Sequence, residues 1–256
     1  MPHPHARTEI LIGAEGLTRL RAARVLIAGL GGVGGYVAEA LGRAGVGRLT
    51  LLDHDVVSLS NLNRQLAALH STLGRSKVEV MAQRLRDIDP TLELTLIDEF
   101  LQPTAAEDLI AAGHYDDVAD CIDSIACKAA LVAACHRQGI PVISALGAGN
   151  ALDVRRVRVA QLNQTQVCPL ARELRRQLRA LNAPLSYPVI YSDEPRRQPL
   201  PHQPVGGDAP GRPRAVNGVI SYMPALVGVM LAGVVIQRLL GEATVPQRSA
   251  ENHRAG

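Results

Sequence analysis

The sequence predicts an α/β protein whose mostly parallel sheet is covered by helices on both faces. Short apolar segments, typical of buried parallel strands, lie at 25–27, 48–52, 117–122 and 141–145. Helical patterns separate them at 37–41, 78–88 and 128–137. Because strands that alternate with helices favour a parallel sheet, we expect a Rossmann-like fold. The second half of the chain is expected to add further strands and helices to it.

The strongest local signal is the stretch Val25 to Asp53, in which a strand, a glycine-rich turn, a helix and a second strand follow one another. Glycines in such a turn let the backbone approach a phosphate closely, and the helix N-terminus offers unpaired N–H groups. The four glycines are Gly29, Gly31, Gly32 and Gly34. Asp53 stands about 20 residues beyond the turn, where an acid binds a ribose hydroxyl. The stretch predicts a nucleotide site, with a tight turn that binds nothing as the alternative.

A polar loop follows this unit at 53–65 and carries many hydrogen-bonding side chains. Loops on a rigid scaffold often carry function. The loop includes Asp53, Asp55, Asn61, Asn63, Arg64 and Gln65. A second acid, Asp123, follows the apolar segment 117–122, and ligands of open α/β sheets bind at the carboxyl ends of strands. We therefore expect the loop and Asp123 to meet at one edge of the sheet.

The charge of the chain is divided unevenly between its halves. The 256 residues carry a net charge of +3, but residues 151–256 hold fourteen arginines against seven acids, which leaves −4 for the first 150 residues. A basic second half indicates a polyanionic partner, although it is also compatible with ordinary solvated surfaces. Aromatic residues make up only 2% of the chain. RNA would therefore be bound through phosphates and shape rather than by base stacking.

The four cysteines, Cys121, Cys127, Cys135 and Cys168, form no CxxC pair. Their spacing predicts no zinc site and favours free thiols in a reducing cytoplasm. The N-terminus lacks the features of a secretory signal. Cys168 lies just before a predicted helix, where the pKa of a thiol can fall. It is either a structural thiol, which we favour, or an acyl-accepting nucleophile.

The second half contains one strongly amphipathic helix, predicted at 169–181. Its apolar side carries Leu170, Leu174, Leu178 and Leu181. Its other side carries Arg172, Arg175, Arg176 and Arg179. This basic side is a candidate for contact with the phosphates of a polyanionic partner, and a plain solvated helix face is the alternative. The Pro-, Gly- and Arg-rich segment 195–217 is predicted to be a mobile loop.

The segment 218–240 is almost uncharged until Arg238 and is close to the length of a membrane span. Pro224 and several small residues suit either a membrane helix or a helix packed closely in a core or dimer interface. Without lysine clusters or aromatic belts beside it, burial is favoured over integral membrane association. Residues 243–256 are predicted to form a flexible tail.

The linked motifs GLGGVG, LLDHDVVSLSNLNRQ, GRSKVE and DCID resemble the ThiF and ubiquitin-activating adenylating enzymes. This resemblance covers roughly residues 7–148 and implies that ATP converts a carboxylate into an acyl-adenylate. Negative charge then develops on the phosphate oxygens, so cations must be aimed there. Arg64 and Lys77 suit this role, and Asp123 can help to hold Mg²⁺. An Arg64–Asp53 salt bridge and an exposed Lys77 are the structural alternatives.

The same resemblance implies further residues of the site. It implies that Asn61 contacts the nucleotide. It also assigns Asp55, from the same loop, to the nucleotide site. Arg7 reaches the phosphates from the partner subunit of a homodimer. We thus expect one adenylating domain at 1–242, with a nucleotide-binding core at about 7–150 and a substrate and dimer region at about 151–242.

The remaining motifs narrow the resemblance to the bacterial tRNA threonylcarbamoyladenosine dehydratases. They are RTEILIGAEGL, GAGNALD, QTQVCPLARELRRQLR, YSDEP and GVISYMPALVGVMLAG. Such enzymes adenylate a carboxylate on a modified adenosine beside the anticodon, and an internal atom then closes a ring and expels AMP. This chemistry needs no catalytic cysteine and suits the basic second half. Lys128 is expected near the substrate, with a surface lysine as the alternative.

Three other functions remain open at this point. One is activation of the C-terminus of a ubiquitin-like sulfur carrier. For this function and for the tRNA dehydratase alike, a sulfur-relay protein is a candidate partner. A second is a nucleotide-binding module without catalysis. A Rossmann-type oxidoreductase ranks last, because it gives no reason for Arg64, Lys77 and Asp123.

Overall fold

The structure, a computed structural model, describes residues 3–195, 197 and 218–242. Its strands are β1 (Arg24–Ala28), β2 (Arg48–Leu52), β3 (Glu93–Ile97), β4 (Asp117–Asp120), β5 (Val142–Ala145), β6 (Val157–Gln161) and β7 (Pro188–Ser192). They form one sheet in the order β3-β2-β1-β4-β5-β7-β6. Every neighbouring pair is parallel except β6 and β7. The predicted mostly parallel sheet is confirmed.

Helices cover both faces of this sheet, as predicted. They are α1 (Ala6–Ala22), α2 (Gly34–Ala44), α3 (Lys77–Ile88), α4 (Ala106–Gly113), α5 (Ile125–Arg137), α6 (Pro169–Ala180) and α7 (Tyr222–Leu239). The buried side chains of α2, α3 and α7 belong to one core cluster. Those of α4, α5 and α6 belong to a second cluster on the opposite face. The strand order reverses direction between β1 and β4, where sheets of this type open a crevice at their carboxyl ends.

The N-terminal segment is more ordered than the sequence predicts. Residues 1–6 are predicted to be unstructured, but His5 is buried and α1 begins at Ala6. The Nε2 atom of His5 lies 2.9 Å from the Asp89 carboxylate, and its Nδ1 atom lies 3.2 Å from the backbone oxygen of Arg43. For residues 3–6 this prediction is wrong, because the partners of His5 lie far along the chain and leave no local sequence signal, whereas residues 1 and 2 lie outside the described part of the chain.

Helix α1 is interrupted at Gly13, whose φ of 74° lies in the left-handed region. Beyond the break, Leu17 and Leu20 pack into the core. Before it, Ile10 and Leu11 are each 85% exposed. The helix predicted at 7–20 is therefore present but broken at Gly13, and its first half presents Ile10 and Leu11 to the surroundings.

Helix α7 packs against α2 and against β4, β5 and β7. Met223, Val227, Leu231 and Val235 are at most 1% exposed. A Cβ atom at Gly228 would lie 2.5 Å from the Val33 backbone oxygen, so the small residue permits this approach. By length and composition alone α7 could cross a membrane. Its packing supports the predicted core helix over the membrane helix.

Several predictions need correction or lie outside the described residues. The strand predicted at 154–159 begins as a helical turn, and β6 starts only at Val157. Leu181 is 44% exposed and does not continue the apolar side of α6. The loop predicted at 195–217, apart from residues 195 and 197, and the tail predicted at 243–256 lie outside the described part of the chain.

Candidate functional site

A pocket opens at the carboxyl ends of the central strands. The glycine turn after β1, the acids after β2 and the loops after β4 and β5 all line it. Lys77 at the start of α3 and Leu170 at the start of α6 also reach it. Of the predicted site residues, the pocket is lined by Gly29, Gly31, Gly32, Asp53, Asp55, Arg64, Lys77 and Asp123. The sheet therefore brings together groups that are far apart in the sequence.

The glycine turn is shaped by two positions that admit no side chain. Gly29 has a φ of 90°, and a Cβ atom there would lie 2.8 Å from the Cys121 backbone oxygen. At Gly34, the first residue of α2, a Cβ atom would lie 1.7 Å from the Gly29 oxygen. The turn thus packs directly against the end of β4 and delivers the N-terminus of α2 to the pocket. An anion placed there meets unpaired N–H groups and the positive end of the helix dipole.

Asp53 connects this turn to the loop after β2. Its carboxylate accepts hydrogen bonds from the backbone N–H of Leu30 at 2.5 Å and of Asp55 at 2.9 Å. The Asp55 carboxylate in turn accepts a bond of 2.6 Å from the Lys77 ammonium, whose side chain is 4% exposed. The structural alternative of an exposed Lys77 is therefore wrong. Lys77 is a buried cation, held at the pocket by an acid of the predicted loop.

Arg64 lies in the pocket without a balancing negative charge. Its Nη1 atom donates to the Ser60 backbone oxygen at 2.7 Å and to the Asn63 side-chain oxygen at 2.8 Å. Among the described residues no carboxylate lies within 4.0 Å of it, so the alternative of a salt bridge with Asp53 is wrong. Burial lowers the pKa of Arg64. A half-buried guanidinium with unused donors is suited to an anionic ligand.

The loop after β4 differs from its prediction in one respect. The strand ends at Asp120 rather than at Ile122, and Asp123 stands exposed on the following loop, where it lines the pocket. Between them, Cys121 also lines the pocket, but burial raises the pKa of its thiol to about 12. Cys121 is therefore protonated at neutral pH and is not poised as a nucleophile.

Comparison with known proteins agrees with this geometry. The model of the ThiF family matches residues 5–254. The chain belongs to the ThiF family. It is 36% identical to the tRNA threonylcarbamoyladenosine dehydratase of Bacillus subtilis over 96% of this chain and 98% of that protein. Crystal structures of the E. coli tRNA N6-threonylcarbamoyladenosine dehydratase in complex with ATP and with AMP match 93% of this chain and 94% of theirs. Each has a TM-score of 0.82 and 32% identity.

Three predicted nucleotide-binding residues of this ThiF-family chain do not line the pocket, namely Gly34 at the start of α2, Asn61 and Arg7. Asn61 is buried, and its side-chain oxygen accepts a hydrogen bond of 3.1 Å from the Ser58 N–H. It supports the loop that carries Arg64 and does not line the pocket. Arg7 is exposed on α1 and does not line the pocket of its own chain. A role of Arg7 at a nucleotide therefore requires a second subunit.

Lys128 does not reach the pocket either. It is fully buried, and its ammonium donates to the Asp120 carboxylate at 2.8 Å. The alternative of a surface lysine is wrong, and the expected position of Lys128 near the substrate stays a prediction. The apolar pattern of α5 does not reveal this position, because the partner of Lys128 is an acid on the neighbouring strand β4.

The four arginines of α6 do not form one uniform surface. Arg175 donates from Nη1 to the Leu162 backbone oxygen at 3.1 Å and to Thr165, so it supports the loop after β6. These bonds use only Nη1 of the half-buried guanidinium, and contact of Arg175 with tRNA stays a prediction. Arg176 pairs with Glu173. Arg172 and Arg179 are exposed and have no carboxylate partner among the described residues.

Cys168 has a structural role at the N-terminus of α6. It is 7% exposed, and its sulfur accepts a hydrogen bond of 3.5 Å from the Ala171 N–H. It does not line the pocket. These observations support the structural thiol that the sequence favours. All four cysteines are free, as predicted.

Gln65 and Phe100 also line the pocket and are absent from the predicted site. Gln65 is 9% exposed, and its side-chain oxygen has no hydrogen-bond partner among the described residues. Phe100 is 45% exposed at the pocket, and its ring centroid lies 4.9 Å from that of His54. The position of Gln65 directly after Arg64 in the polar loop was the one available signal. Nothing local marks Phe100.

Proposed function

We propose that this chain is an ATP-dependent tRNA threonylcarbamoyladenosine dehydratase. It adenylates the threonylcarbamoyl carboxylate on a modified adenosine next to the anticodon, and ring closure then releases AMP. The observation that carries the proposal is the half-buried guanidinium of Arg64, which lies beside the glycine turn and has no carboxylate within 4.0 Å among the described residues. A near full-length match to the B. subtilis dehydratase supports it.

The pocket offers hydrogen-bonding groups to the phosphates of ATP and to its hydroxyl and amino groups. The turn that contains Gly31 and Gly32 offers backbone N–H groups to the phosphates. The Asp53 carboxylate, already fixed by two N–H groups, accepts from the ribose hydroxyls. The buried oxygen of Gln65 needs a donor, and a nucleotide hydroxyl or amino group supplies one.

Adenylation builds negative charge on the α-phosphate oxygens and on the departing pyrophosphate. A carboxylate oxygen attacks the α-phosphorus and the bond to pyrophosphate breaks. Arg64 and Lys77 neutralise the charge that develops, and Asp55 holds Lys77 in place. A carboxylate among phosphates is the ligand set that Mg²⁺ prefers, so Asp123 is the residue that would hold Mg²⁺. When bound, Mg²⁺ would offset phosphate charge.

The second step requires no covalent intermediate on the protein. An internal nitrogen or oxygen of the substrate attacks the activated carbonyl carbon, loses its proton and expels AMP. The net change in the nucleoside is the loss of one water. The thiol of Cys168 caps the N-terminus of α6, and the thiol of Cys121 stays protonated. Both observations agree with direct attack by an atom of the substrate itself.

The tRNA lies along α6 in this proposal. Leu170 at the start of the helix lines the pocket, while Arg172 and Arg179 are exposed further along it. A modified base in the pocket would thus leave the adjoining backbone near these two charges. The proposed setting is the cytoplasm, where tRNA and ATP are present.

The proposed assembly is a homodimer. The first half of α1 carries the exposed Arg7 together with Ile10 and Leu11, each of which is 85% exposed. Apolar side chains this exposed are suited to an interface. The partner subunit then places Arg7 at the phosphates, and a sulfur-relay protein can dock on the assembled enzyme.

The direct test incubates the protein with ATP, Mg²⁺ and tRNA that bears threonylcarbamoyladenosine, followed by mass spectrometry of the nucleosides. We expect loss of one water from the modified nucleoside and release of one AMP for each turnover. An unchanged nucleoside would refute the proposal. Consumption of ATP only with a carrier protein ending in Gly-Gly would identify the carrier-activating function, and binding of ATP without turnover would identify the binding module.

A further inference from the structure

A chain of buried polar side chains lies beneath the pocket and has no role in the chemistry described above. Its members are Lys128, Asp120, Ser144 and Tyr187, of which the first three are 0% exposed and the last 3%. They come from α5, the end of β4, the end of β5 and the loop before β7. Buried charge is costly unless each group is paired, so the arrangement calls for a physical explanation.

Lys128 uses all of its donors within this chain. Its Nζ atom lies 2.8 Å from the Asp120 carboxylate, 3.1 Å from the Ala145 backbone oxygen and 3.4 Å from the Asp120 backbone oxygen. An ammonium has three N–H groups, so none remains for a substrate. Because Asp120 and Ala145 are the last residues of β4 and β5, Lys128 ties the ends of two adjacent strands together.

Asp120 extends the connection to the loop that carries Asp123. One carboxylate oxygen accepts from the Ile122 N–H at 3.2 Å, and the other accepts from the Ser144 hydroxyl at 2.6 Å. Since Ser144 gives its proton to the carboxylate, the Tyr187 hydroxyl donates to Ser144 at 3.0 Å. Burial, and then the nearby Asp120 charge, raise the pKa of Tyr187, so the phenol keeps its proton.

We propose that Asp120 and Lys128 are a positioning pair for the adenylation reaction. The pair fixes the loop 121–124, which carries Asp123, against the loop 145–149, and both loops line the pocket. Neither side chain of the pair lines the pocket itself. This inference rests on the proposed function, because the geometry that it protects is that of the reacting groups.

The energetics favour positioning over simple stabilisation. A buried ion pair is often no more stabilising than well-packed apolar residues of the same volume. What distinguishes a buried ion pair is that its charges and hydrogen bonds are satisfied in only one arrangement of the surrounding residues. Small displacements of reacting groups are costly, and a misplacement of about 1 Å can lower a rate by about 100-fold.

The test compares the double variant Asp120→Asn/Lys128→Met with two variants in the same buried chain, Ser144→Ala and Tyr187→Phe. The double change removes both charges, so no unpaired charge remains to unfold the protein. We expect it to bind ATP with a Kd close to that of the unaltered chain, because the glycine turn and Asp53 are untouched. Its single-turnover rate of AMP formation should fall by about 100-fold. The two control variants should stay within about 3-fold, because they leave the ties to Ile122 and Ala145 in place.

Amide hydrogen exchange provides a readout that does not depend on turnover. In the double variant we expect faster exchange in the loops 121–124 and 145–149 and unchanged exchange in the glycine turn 29–34. A folded double variant with normal rate and normal exchange would overturn the inference, and so would an equal loss of ATP binding and rate. If the unaltered protein does not act on tRNA, the proposed function fails, while the exchange result still tests the positioning of the loops.

Discussion

Arg64 and Lys77 bring two positive charges to one pocket in different ways. Lys77 is buried against the Asp55 carboxylate, so its position is fixed and its charge is partly balanced. Arg64 is held by neutral oxygens of Ser60 and Asn63, so its full charge remains for a ligand. A planar guanidinium can also hold two phosphate oxygens at once, which an ammonium cannot. Arg64 is therefore the residue on which the proposed reaction depends most.

The change Arg64→Ala should lower the rate of AMP formation by about 100- to 1,000-fold, as expected for loss of a donor to developing negative charge. Arg64→Lys should recover only part of the rate, because it keeps the charge and loses the two-point contact. The measurement is single-turnover AMP formation with tRNA, with circular dichroism as the check on folding. Arg75→Ala is the matched control, since Arg75 lies outside the pocket and donates to Gln83. A folded Arg64→Ala protein with normal turnover would remove this assignment.

Residue types and their spacing predict this part of the site well, because the glycine turn, Asp53, Arg64 and Lys77 each follow a recognisable local pattern. The roles of Lys128 and Arg175 were not predictable in this way. Lys128 pairs with Asp120 on a neighbouring strand, and Arg175 donates to a loop ten or more residues away. Sequence shows that a side chain is charged, whereas only the packed structure shows whether that charge faces water, a ligand or another buried group.

At the scale of elements, α6 connects the pocket to the surface. Its first turn contributes Leu170 to the pocket, and its exposed side carries Arg172 and Arg179. The amphipathic pattern predicts the helix itself, which spans Pro169–Ala180. The pattern does not separate the arginines that support the fold or pair with an acid from those that remain available to phosphates.

The double change Arg172→Ala/Arg179→Ala should weaken tRNA binding and reduce its dependence on salt. Each lost phosphate contact should lower the slope of log K against log salt by about 1. The measurement is a binding titration at several salt concentrations. The double change Arg75→Ala/Arg86→Ala is the control, because it also removes two positive charges but leaves α6 unaltered. If both variants change binding equally, the effect is one of net charge and α6 is not the contact surface.

Helix α7 is tied to the sheet by a buried ion pair. The Arg238 guanidinium donates to the Asp117 carboxylate at 2.6 Å and to the Val142 backbone oxygen at 3.2 Å. Burial raises the pKa of Asp117 to about 7, even though the charge of Arg238 opposes the shift. The attachment of α7 to β4 is therefore sensitive to pH.

An aspartate in an unfolded chain titrates near about 3.9, so the native state binds more protons than the unfolded state between about pH 4 and 7. Asp117 should therefore lower the free energy of unfolding as pH rises through this window, by up to about 1.4 kcal/mol per pH unit. The measurement is chemical denaturation of the unaltered protein and of Asp117→Asn across that range. The difference between the two should change steadily with pH, and parallel curves would contradict the prediction.

At the scale of the whole molecule, the alternation of strands and helices predicts the mostly parallel sheet and its two helical layers. It does not predict that His5 anchors the N-terminus to Asp89, because 84 residues separate the two. Nor does it predict the break at Gly13, beyond which the first half of α1 leaves the core. That half carries Arg7 away from the pocket of its own chain, so the proposed site is complete only in a dimer.

Mixing two inactive variants tests whether Arg7 acts in the partner's pocket. Arg7→Ala and Arg64→Ala should each be inactive as separate proteins. Random reassociation makes about half of the dimers mixed, and each mixed dimer has one intact site, so about a quarter of the full activity should return. The measurement is AMP formation after subunit exchange, with each variant incubated alone as the control. No recovery from fully exchanged dimers would show that Arg7 does not act across the interface.

The most direct test of the central claim follows the oxygen of the activated carboxylate. In the proposed reaction this oxygen attacks the α-phosphorus of ATP and leaves with AMP when the ring closes. With tRNA that carries heavy oxygen in the threonylcarbamoyl carboxylate, mass spectrometry should find one heavy oxygen atom in each AMP released. Dehydrated tRNA accompanied by unlabelled AMP would contradict the acyl-adenylate mechanism.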